Sequence, residues 1–124
     1  MPTQAFLVED SAVIRDNLIP TLAELGGVCV VAFAEGQHEA TEWLRSHQSS
    51  WDLVIVDLFL REGSGLGVIT ECKATRPQAR VVVLTNYATA DMRRRCLALG
   101  ADAFFDKSSQ LDEFFEFCEA NYSP

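Results

Sequence analysis

Five short apolar runs, each followed by a longer segment of helical period, set the limits on what this chain can become. The strand-like runs cover residues 5–8, 28–34, 52–56, 81–84 and 103–105. The helix-like segments cover 11–25, 36–47, 63–76, 89–99 and 109–122. Strands that are apolar almost throughout must be covered on both faces, and alternation with helices implies parallel pairing. The expected class is α/β: a three-layer, doubly wound, five-stranded parallel sheet. At 124 residues the chain suits one domain, taken here as 1–124.

Right-handed crossovers and this element order predict the flavodoxin-like strand order 2-1-3-4-5. In the first helix Ile14, Leu18, Leu22 and Leu25 form a stripe, Pro20 is expected to kink it or cost a hydrogen bond, and Gly26-Gly27 ends it. Ala40, Trp43, Leu44 and His47 mark the second, which Ser49-Ser50 breaks. Pro77 stops the third by Arg76, and Gly100 ends the fourth. Ser109, with Asp112 three residues on, reads as a capping box for the last. Its stripe is Leu111, Phe114, Phe115, Cys118 and Tyr122.

No apolar stretch approaches the roughly 20 residues of a membrane span, and the N-terminus lacks the basic segment of a secretory signal. A cytoplasmic location without membrane contact is expected. The net charge of −8 argues against direct nucleic-acid binding. Arg93-Arg94-Arg95, the one basic run, reads as a solvated helix face. Cys29, Cys72, Cys96 and Cys118 have no CxxC spacing and read as buried small hydrophobes. His38 and His47 share one amphipathic segment with no metal-ligand spacing.

The chemistry gathers at strand ends, where open α/β sheets place their sites. The first run ends in Glu9-Asp10, the third in Asp57, the fourth in Thr85, and the fifth leads into Lys107. Neighbouring first and third strands bring the three acids together. Clustered carboxylates repel and need protons or a cation, and hard oxygen ligands suit Mg²⁺. Lys107 can pair with Asp57 or hold a phosphoryl oxygen, and Thr85 offers a hydroxyl. Together these groups describe a site for making an aspartyl phosphate. Each alone has a bland reading as a loop acid, helix start, strand end or solvated lysine; their joint placement does not.

The chain resembles the receiver domain of bacterial two-component response regulators, including chemotaxis-regulator-like members, from residue 6 to about 122. The matching pieces are Val8-Glu9-Asp10-Ser11, Val56-Asp57 with Gly65, Val83-Leu84-Thr85, Gly100-Ala101-Asp102 and Phe104-Phe105-Asp106-Lys107. The resemblance implies that Asp57 is the phosphoacceptor and that Asp10, Asp57 and the Phe59 carbonyl bind Mg²⁺, with Glu9 acting mostly through a metal-bound water. Lys107 and Thr85 would hold the phosphoryl oxygens, and Thr85 with Phe104 would form the switch. It implies a sensor histidine kinase or phosphotransfer protein as donor, and a downstream protein target or output domain. Two copies could pair through the fourth helix, fifth strand and fifth helix. Such a domain is no classical enzyme, although it assists its own phosphorylation and dephosphorylation.

Departures from the family pattern are Phe104 in place of the common Tyr, Ser108 after the lysine where Pro is frequent, and Asn86 after Thr85. The loop after Asp57 also has no Pro where the family often has one. Phe59 and Tyr87 are expected to flank the site and slow hydrolysis of the phosphoryl group. Two other readings stay open: a phosphate-independent interaction module, and an aspartyl-phosphate hydrolase. The hydrolase reading lacks its second acid, because Phe59 stands where that Asp would be. Flavin binding is weaker still, since no phosphate-binding loop follows the first strand.

Overall fold

The computed structural model describes residues 3–120. Five strands alternate with five helices: β1 (Thr3–Val8), α1 (Ala12–Gly26), β2 (Val28–Ala34), α2 (Gln37–Ser46), β3 (Leu53–Val56), α3 (Gly65–Thr75), β4 (Arg80–Thr85), α4 (Ala90–Ala98), β5 (Ala103–Asp106) and α5 (Leu111–Ala120). All neighbouring strands pair in parallel, in the order β2-β1-β3-β4-β5. This is the expected doubly wound sheet.

The period of two along each strand divides the core. Phe6, Val8, Val54, Val56, Val81 and Val83 face one way and pack with Leu44 of α2, Val68, Ile69 and Cys72 of α3, and Cys96 of α4. Ala5, Leu7, Leu53, Ile55, Val82 and Leu84 face the other way, onto Leu18 and Leu22 of α1 and Phe114 and Cys118 of α5. Burial of such side chains, worth about 1.5–3 kcal/mol for each large one, holds the layers together.

Pro20 lies exposed inside α1, which continues through it to Gly26; having no N–H, it gives up one helical hydrogen bond, as expected. Other expectations need correction. Leu25 is also exposed, so the α1 stripe rests on Leu18 and Leu22. Cys29 is exposed, because β2 is an edge strand whose alternate residues face solvent. The other three cysteines are buried, and burial pushes the Cys72 and Cys118 thiols up to about 12. Ser109 does not cap α5, which starts at Leu111. Ser109 instead lies in a turn organised by Asp106, whose carboxylate accepts the Ser108 N–H and hydroxyl. The Gln110 side chain then accepts the Asp106 N–H and donates to Glu113. Tyr122, the last residue of the α5 stripe, lies outside the described residues.

Candidate functional site

Strand register brings the acids together. Val8 pairs with Val56, and Val56 with Val83, so β1, β3 and β4 end side by side. The chain leaves β1 through Glu9, whose N–H bonds the Ala34 carbonyl at 3.0 Å, and Asp57 N–H bonds the Val8 carbonyl at 3.0 Å. Glu9, Asp10 and Asp57 each present a carboxylate oxygen, all within 4.8 Å of one another. Ser11 caps α1 by accepting the Ile14 N–H, which holds the turn carrying Glu9 and Asp10.

Lys107 lies among these acids. Its ammonium donates to Glu9 Oε1 at 2.6 Å and to Asp57 Oδ2 at 2.9 Å. The bond to Asp57 is the expected pairing; the shorter bond to Glu9 is new. Asp57 Oδ1 accepts the Leu58 N–H at 2.7 Å, and Glu9 Oε2 accepts the Ser11 N–H. Glu9 is 3% and Asp57 9% exposed, while Asp10 is half-buried. Burial pushes the Glu9 carboxyl up from the ordinary range, and Lys107 only partly offsets this. Burial pulls the Lys107 ammonium down, but its hydrogen bonds to Glu9 and Asp57 and their charges carry it above its usual value. Three carboxylates against one ammonium leave the cluster net negative, so the site attracts a further cation. The donor set, all hard oxygen, fits a small divalent ion such as Mg²⁺.

The rest of the site surrounds this cluster. Thr85 is fully buried at the end of β4; its hydroxyl accepts the Tyr87 N–H at 3.1 Å, and its carbonyl accepts the Lys107 N–H. Phe59 and Tyr87, each about half exposed, put their rings 4.2 Å apart at 51°. Phe104 is 4% exposed and packs in the core, with Arg93 donating to its carbonyl and lying over its ring. No cis peptide bond occurs among the described residues, so the backbone runs trans through Ser108. Gly65 approaches Asp57 closely: a Cβ there would lie 2.2 Å from the Asp57 carbonyl oxygen.

The sequence reading missed the groups that brace this site. Arg15 is 8% exposed and bonds the Glu9 carbonyl. Gln37 accepts the Ser64 N–H, and Glu62 accepts from the backbone of Gln37 and His38, fastening the loop after Asp57 to α2. A signal for Arg15 was present: it shares the stripe of Leu18 and Leu22, at spacings of three and seven. A cation on an apolar stripe calls for a buried partner.

A strand-end acid cluster bridged by a lysine on this sheet is the arrangement of a phosphoacceptor signalling domain. A family model of the response regulator receiver domain matches residues 5–119. The chain belongs to that family and is a receiver domain of two-component response regulators. It is 32% identical over 113 residues to the transcriptional regulatory protein PdtaR of Mycobacterium tuberculosis, an alignment covering 91% of this chain and 53% of that protein. The chain spans about half the length of the curated relatives it matches. Among solved structures, the response regulator domain of Thermotoga maritima CheB superposes with a TM-score of 0.83 at 20% identity, covering both chains fully. A response regulator from Burkholderia pseudomallei, holding a phosphorylated aspartic acid, a calcium ion and citrate, superposes with a TM-score of 0.81 at 25% identity, over 96% of this chain and 68% of that one. No helix among the described residues is long and apolar enough to cross a membrane.

Proposed function

We propose that Asp57 accepts a phosphoryl group from a phosphohistidine on a sensor kinase or phosphotransfer protein, and that the aspartyl phosphate switches a protein-binding surface. The observation that carries this reading is the bridge of Lys107 to both Glu9 and Asp57 within a cluster of three acids. An Asp57 carboxylate oxygen attacks phosphorus; the new O–P bond forms as the N–P bond to the imidazole breaks. The chain supplies the nucleophile and positions charge, as expected for a reaction whose catalysis is mostly placement and electrostatics.

Asp10, Asp57 and the Phe59 carbonyl would hold Mg²⁺, with Glu9 acting through water. When bound, the cation would neutralise the charge that develops on the transferred oxygens. Lys107 would exchange part of its carboxylate pairing for a phosphoryl oxygen. The Thr85 hydroxyl, which accepts from Tyr87, retains its proton to donate to another. Phe104 already packs inward, so the switch at this position would act by fixing a packing already present rather than by swinging a ring.

A groove of about 360 Å³ opens beside Lys107 between α1 and α5, lined by Ile14, Leu18, Leu84, Leu111 and Phe115. It offers an apolar seat for the donor's helix next to the phosphoacceptor. On the face made by α4, β5 and α5, Arg93 is engaged with Phe104, and the exposed Leu97 is the apolar contact offered to a target or a second copy. Borohydride reduction of the phosphorylated protein, followed by peptide mass mapping, tests the assignment. Conversion at Asp57 supports it; conversion at another acid, or at none, contradicts it.

A further inference from the structure

Arg15 is one of the few charged side chains buried in this molecule, and the proposed chemistry gives it no part. It enters from the second turn of α1 and makes three contacts. Nη1 donates to the Glu9 carbonyl at 2.7 Å. Nη2 pairs with Glu35 Oε2 at 3.0 Å. The guanidinium carbon lies 4.2 Å from the centre of the Phe33 ring. The other Glu35 oxygen takes Arg61 Nη1 at 3.3 Å, from the loop that follows Asp57. A single carboxylate thus ties the turn carrying Glu9 and Asp10 to the loop carrying Phe59.

We propose that Arg15, held by Glu35, is a positioning residue for the divalent cation. This rests on the reading of Glu9, Asp10, Asp57 and Phe59 as the cation site. The Glu9 peptide carbonyl lies between Glu9 and Asp10, so the bond from Arg15 fixes the peptide plane from which both side chains spring. A planar guanidinium meets the carbonyl and Glu35 from two nitrogens held in a rigid fork, whereas a lysine offers a single ammonium on a flexible stem. Partners that orient metal ligands in this way commonly change metal affinity by about 10–100-fold when removed. Arg15 itself touches no reacting atom.

Charge and positioning must be separated in the test, because removing a cation near the site would by itself strengthen cation binding. The Arg15→Met/Glu35→Gln double variant removes one positive and one negative charge together and leaves the local net charge unchanged. Mg²⁺ affinity is measured by calorimetry on the metal-free protein, beside thermal melts in EDTA. The expected result is a Kd raised about tenfold in a folded double variant. Arg15→Lys, which keeps the charge but replaces the rigid fork with one flexible ammonium, is expected to fall between it and the wild type. A folded double variant with a Kd within about twofold of wild type would overturn the proposal, even if its melting temperature fell, since that pattern belongs to a purely structural arginine. Should the double variant not fold, Arg15→Lys decides: a raised Kd supports positioning, and a wild-type Kd refutes it. Failure of the wild type itself to bind Mg²⁺ would overturn the site reading, and this inference with it.

Discussion

Replacing Lys107 with Met is expected to destabilise the metal-free protein and to strengthen its binding of Mg²⁺. The ammonium lies 2.6 Å from Glu9 and 2.9 Å from Asp57, with its side chain 10% exposed. Removing one partner of a buried ion pair costs about 3–5 kcal/mol, because the remaining charge is left uncompensated. Asp10 is half-buried and the cluster opens to solvent on that side, so a loss of about 2–3 kcal/mol is expected here. For a chain of this length that lowers the melting midpoint by about 10 °C. The same change removes the cation that competes with a divalent ion for Glu9 and Asp57. Coulomb repulsion across about 5 Å, screened by solvent on the Asp10 side, is worth on the order of 1–2 kcal/mol, so Mg²⁺ affinity should rise roughly tenfold. Thermal melts with EDTA and with saturating Mg²⁺, together with a calorimetric titration, measure both effects. The variant's deficit should shrink markedly in Mg²⁺. An equal deficit in both buffers, with unchanged affinity, would refute the reasoning that Lys107 neutralises the cluster in place of the metal.

Three further outcomes follow from the same geometry. Gly65→Ala would force its Cβ against the Asp57 carbonyl, so stability should fall by about 1–3 kcal/mol and phosphoacceptance should drop with it; urea melts and a phosphorylation time course check the pair, and a fully active variant of wild-type stability would contradict the contact. Tyr87→Ala removes one of the two rings in contact beside the site and should shorten the phosphate half-life with little change in stability; an unchanged half-life would sink the shielding idea. The Glu9 carboxyl, raised above 4.5 mainly by burial, holds its proton more tightly in the folded chain than in the unfolded one. Its contribution to metal-free stability is therefore fully present below pH 4.5 and is lost as pH rises through the folded value. Glu9→Gln should flatten that part of a stability profile measured in EDTA, and a profile of unchanged slope would count against the shift.

The sheet was legible because its evidence is local: Phe6-Leu7-Val8, Val54-Ile55-Val56 and Val81-Val82-Val83 are apolar on both faces, and only a covered parallel sheet accepts such runs. Strand order then placed Glu9, Asp10, Asp57 and Lys107 within reach of one another. What the sequence hid depends on neighbours distant along the chain. Cys29 looked buried because its run is apolar, yet the exposure of an edge strand is set by which strands lack a partner. Ser109-x-x-Asp112 had the form of a capping box, but Asp106 and Gln110 took over the turn with side-chain bonds of their own. The Lys107–Glu9 bond spans 98 residues of sequence, and Arg15 acquires its meaning from Glu9 after β1 and from Phe33 and Glu35 at the end of β2.

The central claim is that Asp57, in a cation-loaded cluster with Lys107, accepts a phosphoryl group. Intact mass after incubation with acetyl phosphate tests it most directly, with Mg²⁺, with EDTA, and with an Asp57→Ala control. The account calls for the gain of one phosphoryl mass that requires Mg²⁺ and disappears in the control. Gain of that mass by the Asp57→Ala protein, or none by the wild type from either acetyl phosphate or a phosphohistidine protein, would contradict it.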